Sequence, residues 1–167
     1  MNPQEVFLSA GDFYFHHAKR DDRTPMVLRT LLGSCVSVVL WHPASASGGM
    51  CHAILPSPSR SNADFDGNHC DGAMRLFMRE INRLGFPPSQ YKAFLMGGAR
   101  MSMGMRDMEK VSVGERNIAQ FRHLLGSAGF SIAAEHAGQS GARRIKFHVN
   151  DGRIEVLHNN KTVLLAQ

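Results

Sequence analysis

Thr30–Pro56 reads TLLGSCVSVVLWHPASASGGMCHAILP, and its reading decides the rest of the chain. Two apolar runs, Val36–Trp41 and Met50–Leu55, flank a segment rich in Pro, Ser and Gly, the pattern of a β-hairpin. Pro43 suits the second position of a type I turn. With His42–Ser45 as a four-residue turn, Trp41 faces Ala46, Val38 faces Gly49 and Cys35 faces His52. Directly opposed residues share a face, with Cβ atoms roughly 5 Å apart. A slip of one residue would send the thiol and the imidazole to opposite faces.

A thiol beside an imidazole is a recognisable chemical pair. A free thiol titrates at about 8.5, and its thiolate is the nucleophile. A neighbouring imidazole can take that proton and later protonate a leaving amine. Gly33 lets the backbone turn sharply before Cys35. Backbone N–H groups at such a corner can face a developing oxyanion. The plainer reading is a lone Cys packed as a small hydrophobe.

Leu32-Gly33-Ser34-Cys35-Val36, Gly48-Gly49, His52 and Leu55-Pro56 together resemble the signature of the CheD family, chemoreceptor glutamine deamidases of bacterial chemotaxis. The resemblance continues through Gly97-Gly98-Ala99, Gly114, Arg116-Asn117, Gly138, Arg143 and Phe147, over roughly residues 6–158. It implies a Cys/His amidohydrolase, a protein-glutamine glutaminase, with Cys35 as nucleophile and His52 as its base. A Cys35 thioester would form and be hydrolysed to glutamate, with no metal or organic cofactor. Hydrolysis of receptor glutamate methyl esters would run through the same thioester. The implied partners are the cytoplasmic helices of chemoreceptors and a CheC-type phosphatase. An adaptor that only binds them is the alternative.

The chain departs from the family at one site position. The family's threonine lies six residues before the cysteine, where Arg29 stands here, and Thr30 is one residue nearer. Adjacent strand residues point to opposite faces. Thr30 is therefore expected to orient His52 only if the backbone before Gly33 is irregular. His136, Gln139 and Ala142 replace an acid and two glycines common in the family.

The 167 residues fit one domain, 1–167, with 43% hydrophobic and 20% charged residues. The net charge of +5 favours an acidic partner. The densest basic cluster, Arg143-Arg144 with Lys146, has no aromatic ladder, so nucleic acid is not expected. Three cysteines argue against a disulfide framework. No apolar run approaches the roughly 20 residues that span a bilayer, and no secretory signal is evident. A cytoplasmic protein, not membrane-inserted, is expected. Cys51-His52 and His69-Cys70 lack the spacing that lets two ligands converge on zinc, so no metal is expected.

Elsewhere the patterns are local. Residues 6–15 read as one or two short strands, and Met26–Leu32 as the strand that feeds the Gly33-Ser34 corner. Residues 57–71 read as a loop, either a closing flap or an inert connection. Met74, Phe77, Met78, Ile81 and Leu84 predict an amphipathic helix over 71–84, stopped by Gly85. Tyr91–Met96 is a strand ending at Gly97-Gly98, where close backbone approach is expected.

Residues 99–110 carry Met101, Met103, Met105 and Met108, either a loop over the core or an adaptable patch for a helical partner. Ser112 and Glu115 form a capping box opening a helix to about Leu125. Arg116 and Asn117 in its first turn are either solvated or near the site. Residues 130–134, 144–149, 153–157 and 161–165 read as strands joined by hairpin turns at Asn150-Asp151-Gly152 and Asn159-Asn160. Eight or nine strands and two helices give an α+β domain, its mostly antiparallel sheet carrying both helices. The resemblance implies three layers, similar to Cys/His deamidating toxin domains.

Overall fold

The computed structural model describes residues 1–19, 21, 24–58, 65–101 and 110–167. Its elements run β1 (Gln4–Leu8), β2 (Phe13–His16), β3 (Met26–Leu32), β4 (Val36–His42), β5 (Ser47–Cys51), α1 (Cys70–Leu84), β6 (Lys92–Gly97), α2 (Val113–Ser127), β7 (Ile132–Ala137), β8 (Arg143–His148), β9 (Ile154–His158) and β10 (Lys161–Ala166). Every residue of β4 and β5 is buried. Strands covered on both faces belong to a middle layer.

That middle layer is one of two five-stranded sheets, ordered β2-β5-β4-β6-β7; the other is β1-β3-β8-β9-β10. Each has one parallel pair, β6 with β7 and β1 with β3, and is otherwise antiparallel. Val36, Val38, Leu40 and Leu95 meet Phe77, Ile81, Phe121 and Leu125 of the helices. Val39, Trp41, Phe94 and Met96, on the alternate positions, meet Leu28, Leu32, Ile145, Phe147 and Val156 of the outer sheet. The layers are sheet, sheet, helices: the expected three-layer α+β domain, with the helices on only one of its two sheets.

The outer sheet has a bare face, and its strands alternate accordingly. In β8, Arg143, Ile145 and Phe147 are buried while Arg144 and Lys146 are exposed. The basic cluster seen along the chain is thus divided between two faces.

Local signals account for the elements. The Ser112–Glu115 capping box closes both ways: Glu115 N–H donates to Ser112 Oγ at 3.1 Å, and Ser112 N–H to Glu115 Oε2 at 2.8 Å. Gly85 caps α1 at φ 76°. Asn159 and Asn160 both take positive φ, as a two-residue turn between β9 and β10 requires. Gly152 is needed for another reason. Any Cβ there would run into the ring of Trp41, whose Nε1–H donates to Val149 O at 2.8 Å.

Phe147 lies between the sheets and is fully buried, whereas Leu157 is on the bare face, 37% exposed. Phe147→Ala should cost about 3–5 kcal/mol in urea unfolding. Leu157→Ala should stay within about 0.5 kcal/mol of the parent.

Candidate active site

The chain crosses from the outer sheet to the middle sheet at Gly33–Ser34–Cys35, and three consecutive carbonyls hold that corner. Gly33 O accepts from Ala99 N–H at 2.9 Å and Cys35 O from Gly98 N–H at 2.8 Å. Ser34 O accepts a longer bond, 3.4 Å, from the Asn117 side-chain amide. Gly97 turns beneath the corner at φ 103°, and a Cβ there would collide with the Cys35 carbonyl. This is the close approach expected of Gly97-Gly98.

The hairpin register corrects one expectation. His42 pairs with Ser47 and Leu40 with Gly49, and a further bridge joins Val36 to Ala53. Cys35 is therefore opposite Ile54, not His52. The cause lies in the turn: Pro43–Ser45 forms a 3-10 turn, Ala46 adopts φ 49°, and His42 stays in its strand, its ring accepting from Ser45 N–H. Each strand shifts one residue, so the register moves by two and the faces are kept. Val36 and Ala53 face the helices. Cys35 faces the outer sheet. His52 does so as well, bonded to Thr30. The two are diagonal neighbours on one face, a relation in which residues are about 7–8 Å apart and their Cβ atoms somewhat closer.

Thr30 sets the protonation of His52. Its hydroxyl donates to Leu8 O at 2.7 Å and lies 2.8 Å from His52 Nδ1. A hydroxyl has one proton. Since that proton goes to Leu8, the oxygen must accept from His52, so Nδ1 carries the hydrogen and Nε2 is the free base. β3 runs through Leu32 without interruption, and Thr30 faces inward with Leu28 and Leu32. No irregularity within the strand is needed, because the bends come at Gly33 and Ser34. Arg29 points outward and pairs with Glu5 at 2.8 Å.

Both titratable partners are pushed toward neutrality. Burial raises the Cys35 thiol, opposed only in part by its own N–H. Burial lowers His52, opposed by the Leu8 carbonyl and the Asp12 charge. The resting pair is thiol and imidazole, not thiolate and imidazolium. Such an arrangement can deprotonate the thiol as it attacks, with Nε2 as the base.

The other candidates scatter. Cys51 points into the helix-side core, fully buried, its thiol pushed up to about 12. Cys70 is buried against Asn117, with burial raising its thiol strongly. His69 is bonded to Asp66 at 3.1 Å. Cys35 alone of the three cysteines is partly exposed. Met101 is exposed and lies over the corner, its sulfur 3.5 Å from where a Cβ on Gly33 would be. Met103, Met105 and Met108 fall outside the described residues, as does the centre of the 57–71 loop.

Residues 116 and 117 divide. Arg116 is exposed and Asn117 wholly buried at the corner. Buried Arg143, next to Leu32 in the ladder, donates to His136 Nδ1 at 2.8 Å and to Gly138 O at 2.7 Å. Burial first, then the Arg143 and His158 charges, lowers His136, so a neutral ring accepts from the guanidinium where the family commonly has an acid. The only local sign of these roles was Asn117's place in a helix's first turn, since long-range contacts leave no periodicity.

A half-exposed thiol on a three-layer α+β domain, with a base of assigned tautomer on the same face, defines a class of thiol-bearing domain; comparison supplies the family. Residues 54–158 match the family model CheD, described as CheD chemotactic sensory transduction. The chain is 39% identical over 151 residues to the "Probable chemoreceptor glutamine deamidase CheD 3" of Dechloromonas aromatica, covering 90% of this chain and 85% of that protein. It is 37% identical over 163 residues to the "Probable chemoreceptor glutamine deamidase CheD 1" of Chromobacterium violaceum, covering 96% and 81%. The crystal structure of Bacillus licheniformis hypothetical protein YfiH aligns with 75% of this chain and 50% of its own at a TM-score of 0.45 and 16% identity, too loose a likeness to carry an argument. The chain belongs to the CheD family. Cys35 and His52 precede the residues matched by the family model but lie within the alignments to both relatives, given their coverage. No helix among the described residues is long and apolar enough to cross a membrane.

Under native conditions iodoacetamide should alkylate Cys35 and leave Cys51 and Cys70 unmodified, as read by peptide mass mapping. Labelling of Cys51 at a comparable rate would contradict the burial order.

Proposed function

We propose that this chain is a protein-glutamine deamidase that converts glutamines of chemoreceptor cytoplasmic helices to glutamate, with residues 1–167 working as one domain in the cytoplasm. The observation that carries the reading is the Thr30–His52 bond on the face that also holds Cys35, in a member of the CheD family. Nε2 of His52 takes the thiol proton as Cys35 Sγ attacks the carboxamide carbon. The C=O electrons move to oxygen, and backbone N–H groups at the corner stabilise that charge. Collapse expels ammonia, protonated by His52, and leaves a thioester on Cys35. His52 then deprotonates water, which attacks the thioester, releasing glutamate and restoring the thiol. A glutamate methyl ester follows the same route with methanol as the leaving group. Beyond substrate and water, each step uses side chains and backbone of this chain.

One observation favours a second reading, a binding module held on receptors or on a CheC-type phosphatase: burial pushes the Cys35 thiol upward rather than activating it. Mass spectrometry separates the two. Incubation with receptor cytoplasmic fragments should give a shift of about 1 Da per glutamine converted, lost in Cys35→Ala. Identical spectra from parent and variant would leave only binding.

The acid limb of kcat/KM should report His52. Its protonation removes the base, and its lowered pKa means activity persists below pH 6.5, the ordinary value for histidine, before falling. A limb above pH 6.5 would contradict the neutral pair.

A further inference from the structure

Asn117 is fully buried near the start of α2, far in sequence from both segments it touches. Its Nδ2 donates to Ile54 O at 2.8 Å and to Ser34 O at 3.4 Å. One side chain thus joins the residue before the nucleophile to the segment just after His52. Its reach depends on close packing, since a Cβ at Gly114 would collide with the Gly98 backbone.

The consequence concerns the Ser34–Cys35 peptide. All peptide bonds are trans among the described residues, so C=O and N–H point in opposite directions. The Ser34 carbonyl is drawn toward α2, which directs the Cys35 N–H away from the helix layer. That is the side on which the Cys35 side chain and the Thr30–His52 pair lie. The neighbouring peptides are committed elsewhere: Gly33 O to Ala99 N–H, Cys35 O to Gly98 N–H, and Val36 N–H to Ala53 O at 3.0 Å. Among the described residues, no carbonyl accepts from Cys35 N–H.

The geometry points to Asn117 as a positioning residue that presents the Cys35 N–H as the donor for the tetrahedral oxyanion. This rests on the deamidase reading for its substrate, the carboxamide of a protein-bound glutamine. The residue touches no reacting atom. It acts through the peptide plane it holds.

The test has two parts. In the wild-type protein, a receptor-sequence peptide with an aldehyde in place of the glutamine carboxamide forms a hemithioacetal. Sγ bonds to the aldehyde carbon, and the thiol proton passes through His52 to the oxygen. The Cys35 amide proton should move downfield in the ¹⁵N–¹H spectrum when that oxygen accepts from it. An unmoved amide in a formed adduct overturns the assignment.

In Asn117→Ala, kcat should fall roughly 10²–10³-fold with KM unchanged, the usual loss for one oxyanion donor. Alkylation of Cys35 by iodoacetamide, which develops no oxyanion, should keep its parental rate. A kcat within about threefold of the parent, or alkylation slowing in parallel, overturns the proposal. Absence of ammonia release from the wild type would sink the deamidase reading alone, because the adduct measurement needs no turnover.

Discussion

One proton decides how the Thr30–His52 contact is made. The Thr30 hydroxyl spends it on the Leu8 carbonyl, so it can only accept from His52, and the imidazole is left with its basic nitrogen free. The bond also crosses between layers: Thr30 and Leu8 belong to the outer sheet, while His52 continues the strand β5 of the middle sheet. A buried hydroxyl without partners would be costly, and here both of its roles are filled. Site geometry and sheet packing are therefore one constraint.

The layers follow from what each strand can bury. β4 up to His42 and all of β5 are apolar or small on both faces and must be central. The outer sheet alternates, so it closes one side and presents the other to solvent. The helices supply the third layer, and the N-terminal part of α2 supplies the Asn117 side chain. The Gly33–Cys35 corner lies where the chain passes between sheets, and regular pairing gives way there to carbonyls held individually. Loops and corners on a rigid scaffold are where reactive groups are usually placed.

Burial acts on Cys35 and His52 in the same chemical sense, disfavouring the charged form of each. The Asp12 charge near His52 offsets only part of that cost. What the site has is an imidazole with assigned tautomer and carbonyls pinned behind Cys35. Such surroundings favour a thiol and an imidazole that both rest neutral.

Much was legible along the chain because its cause is local. Met74, Phe77 and Ile81 repeat at helical spacing, Ser112 and Glu115 cap each other three residues apart, and Asn159-Asn160 suits a tight turn. The pair Cys35 and His52 was legible too, through alternation, since face depends only on parity. The hairpin register was not: a 3-10 turn with Ala46 left-handed is not marked by its residue types, and it moved the partner of Cys35 to Ile54. Nor could the chain say that Arg143 turns inward while Arg144 turns out, or that Asn117 reaches both the Ser34 bend and the segment after β5. The sequence by itself determined that Cys35 and His52 share a face and which segments are strand or helix, because those depend on alternation and on neighbours a few positions away. Only the tertiary structure decided which nitrogen of His52 is basic, because that rests on Leu8 and Thr30, whose approach is set by the packing of one sheet on another.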